Sequence, residues 1–210
     1  MSDGIKLEIK TGNLMSMMGA GLSGESLMKC VYTNNTSKPG YVAITGDIPG
    51  VLVPINMRTT TTLKCKRGAW VCSTGSLETS IAADFNRPNS LGACCFSGID
   101  FVVQTLSGGS WSFLGAMGTV IARTLVQGEE ILVDTNSILA FDESVTIDVR
   151  AVGGCGAMCC AGEGAFNTLM RGPGKIYLQS MPIEKLRSLF PKPPDQKEGG
   201  AGGGGGGGGE

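Results

Sequence analysis

The amino-acid sequence predicts an all-β fold of three similar units around a pseudo-threefold axis, with one short C-terminal helical turn. Three observations lead there. The first is a small turn ending in glycine, followed by an alternating stretch, and it is written three times. The copies are Pro39-Gly40-Tyr41-Val42-Ala43-Ile44-Thr45-Gly46, Gly108-Gly109-Ser110-Trp111-Ser112-Phe113-Leu114-Gly115 and Pro173-Gly174-Lys175-Ile176-Tyr177-Leu178-Gln179-Ser180. Gly40, Gly109 and Gly174 lie 69 and 65 residues apart, and a near-fixed interval of this kind marks a repeat architecture. The second is a gapless alignment of Leu63 to Cys72 on Ile131 to Ala140, a separation of 68 residues. In each, a strand enters a polar turn bearing Gly68 or Asn136, residue types that tolerate positive φ, and an apolar strand leaves it. The third is the density of short apolar stretches between glycine-bearing turns; of 34 glycines, 24 remain for such turns once the ten at 199, 200 and 202–209 are set aside. A unit of four or five short strands cannot bury its apolar face alone, whereas three units close most of their edges on one another.

Taken in order, Ile5, Leu7 and Ile9 alternate with Lys6, Glu8 and Lys10 as a half-buried strand should. Met15 to Gly24 reads as a Met- and Gly-rich loop, Leu27 to Tyr32 as a strand, and Asn34 to Gly40 as a turn cluster. Tyr41 to Thr45 and Val51 to Ile55 are predicted strands, the second at a sheet edge because Pro54 cannot donate to a ladder. Thr59 to Cys65, Ala69 to Ser73 and Leu77 to Ala82 follow as three more strands, the threonine run favouring a pleated, half-exposed surface. Ile183 to Phe190 carries apolar residues at helical spacing between Pro182 and Pro191. The predicted organisation is one β domain over 1–190, with units of about 1–62, 63–130 and 131–190. Residues 191–210, rich in proline and then glycine, are predicted to be a disordered tail.

Composition narrows the function. Seventeen basic against 18 acidic residues give a net charge of −1, a poor match to a broad nucleic-acid-gripping face. No apolar run approaches the ~18 residues that would suggest a membrane-crossing helix. The N-terminus has neither an apolar signal core nor an arginine-rich presequence, so the expected compartment is the cytoplasm, with the mitochondrion as the alternative. Eight cysteines in a reducing compartment are expected to be thiols. Cys155, Cys159 and Cys160 form the tightest group and could hold a metal with Cys94 and Cys95; their spacing is not that of a zinc knuckle, so core filling is the expectation. No histidine is present, which removes the usual ligands of β-helix metalloenzymes. Asp47, Asp100, Glu129, Glu130, Asp134, Asp142 and Glu143 are the carboxylates from which an acid–base pair would have to come, and most sit in turns. Lys64, Lys66 and Arg67 are the compact basic cluster, with Trp70 nearby, and could line a phosphate track if repeated round a ring. Their counterparts one interval on are Leu132, Asp134 and Thr135, so the chain does not repeat that track.

A family resemblance rests on particular residues. Phe101-Val-Val-Gln-Thr-Leu-Ser-Gly-Gly-Ser-Trp111, Gly118-Thr-Val, Gly128-Glu-Glu-Ile-Leu-Val-Asp134-Thr-Asn-Ser-Ile-Leu-Ala140 and the closing Gly172-Pro-Gly-Lys-Ile-Tyr-Leu-Gln-Ser180 resemble the altered inheritance of mitochondria protein 24 family. The resemblance implies three units like the tryptophan RNA-binding attenuation protein, forming a short double-stranded β-helix that assembles as a cyclic homo-oligomer, a trimer in the favoured case. It implies no catalytic residue and no cofactor, and a mitochondrial role for the fungal member. The expected function is therefore a non-enzymatic structural or binding module. A ring that binds nucleic acid or a ligand is the alternative, and an enzyme using carboxylates comes third.

Overall fold

The computed structural model describes residues 1–11, 28–60, 62–75, 77–83, 102–151 and 166–190. The fold is mostly β, as predicted. Its strands are β1 (Ile5–Thr11), β2 (Met28–Asn34), β3 (Val51–Asn56), β4 (Thr62–Lys66), β5 (Trp70–Thr74), β6 (Leu77–Ala83) and β7 (Val102–Gly108). They continue as β8 (Trp111–Ala116), β9 (Val120–Leu125), β10 (Glu130–Asp134), β11 (Ile138–Asp142), β12 (Thr146–Ala151), β13 (Phe166–Arg171) and β14 (Gly174–Gln179). A 3-10 turn occupies Thr135–Ser137, and among the described residues one helix, α1, spans Ile183–Ser188.

A six-stranded antiparallel sheet, ordered β6-β7-β4-β11-β14-β9, forms the centre. Two three-stranded sheets, β3-β8-β5 and β10-β13-β12, and the hairpin β1-β2 complete the described ladders. β3 is a terminal strand of its sheet, the place Pro54 demands. Alternation sets which face is dry. In β4, Leu63 and Cys65 are fully buried while Lys64 and Lys66 take the other face. One core cluster gathers Leu63, Cys65, Leu106, Leu114, Ala140 and Tyr177 among others, and a second gathers Leu125, Ile138, Phe141, Val145, Met170 and Ile176.

The ladders follow two offsets. Thr62↔Ser107 through Lys66↔Val103 in β4–β7 becomes Glu130↔Arg171 through Asp134↔Asn167 in β10–β13, adding 68 on one strand and 64 on the other. The same offsets carry β6–β7 onto β12–β13 and β3–β8 onto β9–β14. They also carry β5–β8 onto β11–β14, including the register shift at Trp70/Cys72 and at Ile138/Ala140. The offset drops by four because the connection 84–101 is four residues longer than 152–165. The hairpin β1–β2 has seven paired positions, as β6–β7 has.

Three local expectations are corrected. Tyr41 to Thr45 is not a strand and joins no described ladder. Asn136 does not take positive φ. It lies in the 3-10 turn, where Asp134 Oδ1 accepts its backbone N–H at 3.0 Å and Asp134 Oδ2 accepts from Ser137. Gly68 does adopt φ 73°, so two turns at the same offset are closed by different chemistry. The third correction is one of register. Gly109 and Gly174 both have positive φ, at 73° and 142°. The ladders nevertheless set Ser112 at the place of Ile176, an offset of 64, whereas the glycine motif implied 65. A slip of one residue exchanges the faces of a strand, so the distinction decides which side chains are inside.

The β9–β10 turn shows a carboxylate used locally. Glu129 accepts the Val126 N–H through Oε2 at 2.9 Å and holds Arg123 through Oε1. The backbone hydrogen bond from Val126 first, and Arg123 second, hold its carboxyl below the ordinary glutamate range. A carboxylate depressed in the fold stabilises it above the ordinary glutamate pKa and loses that contribution as pH falls through the depressed value. Melting curves from about pH 7 to about pH 3 should therefore fall more steeply for the wild type than for Glu129→Gln. Parallel curves would show that the turn contributes nothing.

Candidate interaction surface

The basic cluster is built on β4 and the turn after it. Lys64, Lys66 and Arg67 are half-buried, and alternation puts Lys64 and Lys66 on one face. Lys66 Nζ lies 2.9 Å from Glu184 on α1, so this cation is matched by an acid of the same chain. One interval on, Asp134 stands where Lys66 stands, and the next residue of α1, Lys185, reaches it at 3.7 Å. The helix thus straddles the ends of β4 and β10 and meets opposite charges there with Glu184 and Lys185. That arrangement is a clasp between elements. Trp70 pairs instead with Lys29 of β2, whose Nζ lies 5.8 Å from the ring centroid.

The carboxylates are spread over several turns and strand ends. Glu130 pairs with Arg171 across β10–β13, Asp134 caps the 3-10 turn, and Asp142 Oδ2 accepts the Lys175 N–H at 2.8 Å. Asp47 and Glu143 are exposed, and Asp100 lies outside the described residues. Cys94, Cys95, Cys155, Cys159 and Cys160 lie outside them too, as do the predicted Met15 to Gly24 loop and the 191–210 tail. Among the described residues no group of three or more potential ligands converges on a metal position. Cys65 is buried, Cys72 half-buried and Cys30 exposed, and burial pushes the Cys72 thiol up.

Among the described residues, a contiguous exposed apolar surface belongs to the first hairpin, which sequence reasoning did not single out. Leu7 faces Tyr32 and Ile9 faces Cys30 across β1–β2, putting all four on one face. Leu7 is 45% exposed, Ile9 63% and Tyr32 41%. In the longer sheets the strands built like β2 carry Leu106 and Met170 at the place of Tyr32, and both are fully buried. Four buried side-chain polar atoms among the described residues have no hydrogen-bond partner, and two of them, Trp70 Nε1 and Ser112 Oγ, lie on the β5–β8 ladder. Such groups are costly in a dry interior. The signal was present in the sequence as the Ile5-Leu7-Ile9 alternation, but alternation alone does not say whether a face is covered.

Residues 1–181 match the family model described as mitochondrial biogenesis AIM24. The chain belongs to this family. A crystal structure of a Streptococcus pyogenes protein is similar to the AIM24-family chain with a TM-score of 0.59. The likeness covers 90% of this chain and 82% of that one at 21% identity, and is one of fold. No curated protein matches the chain. No helix among the described residues is long and apolar enough to cross a membrane.

Proposed function

We propose that this AIM24-family chain is a non-enzymatic structural or binding module that self-associates and works through its sheet edges and exposed β surface. The observation that carries the reading is the recurrence of every ladder from β3–β8 in β9–β14 at the 68 and 64 offsets. A chain that spends its length on two matching sets of short strands, with a third hairpin like theirs, is a scaffold of repeated units. In this reading the units are of the attenuation-protein type and follow a pseudo-threefold plan. Terminal strands and incompletely covered faces at the ends of such a plan favour pairing with another chain. The distribution of carboxylates over separate turns supports a role without catalysis. The family description favours a mitochondrial setting, against the cytoplasmic one expected from the N-terminal sequence.

The test is the mass of the purified full-length chain by light scattering over a wide concentration range, followed by affinity capture from native lysate. A stable multiple of 21.6 kDa, a trimer in the favoured case, is the expected result. A concentration-independent monomer would overturn the self-association part of the proposal.

A further inference from the structure

Two sheets of this chain together repeat the neighbours of β4, with no described strand in the place of β4. In the six-stranded sheet, β4 lies between β7 and β11, in the order β6-β7-β4-β11-β14-β9. Ladder for ladder, β5-β8-β3 matches β11-β14-β9, and the hairpin β1-β2 matches β6-β7. By this match the two pieces, separate sheets in the fold, take the places of β6-β7 and β11-β14-β9, and no described residue supplies the strand that joins those two in the six-stranded sheet. Lys29 of β2 contacts the ring of Trp70 on β5, so the two pieces stand beside one another. Paired strands lie about 4.8 Å apart, so a lysine side chain is long enough to span the width of one strand.

We propose that the edges of β2 and β5 form a strand-addition site for an extended segment of a partner polypeptide, with apolar residues at its second and fourth positions and an acid at its fifth. This rests on the repeated-unit reading, and the pattern follows from the partners of β4. Laying β1-β2 on β6-β7 pair for pair sets Tyr32 at the place of Leu106, and the offset of 68 sets Thr74 at that of Asp142; the second residue then sits beside Tyr32 and Thr74, the third beside Val31 and Ser73, and the fourth beside Cys30 and Cys72. β4 puts Leu63 and Cys65 at those second and fourth places, and both are fully buried. Apolar residues there would cover Tyr32 and its exposed neighbours on β1. The fifth residue falls beside Lys29, which is paired across the hairpin with Lys10. β4 carries Lys66 there, which would set a third cation against the pair; an acid complements it. Glu130-Ile131-Leu132-Val133-Asp134 of this chain happens to carry the required pattern and supplies a defined probe.

A capped peptide Glu-Ile-Leu-Val-Asp, titrated into the full-length chain, should slow amide exchange in both 29–33 and 71–74. A peptide ending in Lys should bind about tenfold more weakly. Lys29→Glu should reverse that preference while leaving the melting temperature near that of the wild type, which separates a docking effect from misfolding. No protection, protection of one edge alone, or indifference to the terminal charge would overturn the proposal. Protection of both edges without peptide that grows with protein concentration would assign the site to a second copy instead, and overturn the partner segment. Light scattering on the same samples reports self-association separately, so a monomer that binds the peptide would overturn only the oligomer.

Discussion

Gly174→Val is expected to destabilise the chain by about 3 kcal/mol or more. Gly174 opens β14 with φ 142°, a conformation that an L side chain rarely adopts. A Cβ there would stand 2.6 Å from Ser144 Oγ and 2.7 Å from Val145 Cγ2, and Val145 belongs to the second core cluster. Strain and overpacking therefore act together, and β14 transmits them to both β11 and β9, with which it pairs. For a chain of this size the shift in melting temperature should be about 10 °C. Gly109→Val, at φ 73° between β7 and β8, adds backbone strain of the same kind and should cost about 1–3 kcal/mol. Unchanged melting in both variants would overturn the assignment of these turns.

Phe141→Ala is the second large effect, at about 3–5 kcal/mol. Phe141 is 1% exposed on β11 and joins Ile176, Met170 and Leu125 in the second core. Its backbone stands opposite Lys64 on one side and Ile176 on the other, so the strand cannot move to fill the cavity without disturbing two ladders. Leu132→Ala supplies the comparison. Leu132 is 55% exposed on β10 and should change stability by less than about 0.5 kcal/mol. Equal losses in the two variants would mean that the burial pattern described for these strands is wrong.

Much of the β architecture was legible because it is encoded locally. The alignment of Leu63 to Cys72 with Ile131 to Ala140 places β4 and β5 against β10 and β11, and the observed strand bounds differ by the same 68 residues. Period-2 alternation and turn residues are near-neighbour properties, so one chain segment suffices to show them. The edge position of Pro54 and the helix after Pro182 were legible for the same reason. The candidate surface was not. Leu7 and Ile9 read as the dry side of a half-buried strand and Tyr32 as the end of another, and only the arrangement of the other strands leaves all three exposed.

What the sequence by itself determined is the secondary-structure class, the turn positions and the family, each carried by side-chain periodicity or by short motifs. Tertiary structure decided whether a stretch with strand character finds a partner, which is why Tyr41 to Thr45 forms no strand. It also set the offset of 64 rather than 65 between β8 and β14, because register is settled by which face meets the core across a ladder and not by which glycines look alike. It turned Lys66 from a member of a basic cluster into one half of an ion pair with a helix 118 residues away. Charge pairing of that kind depends on distance in space, and nothing in the local sequence around either residue records it.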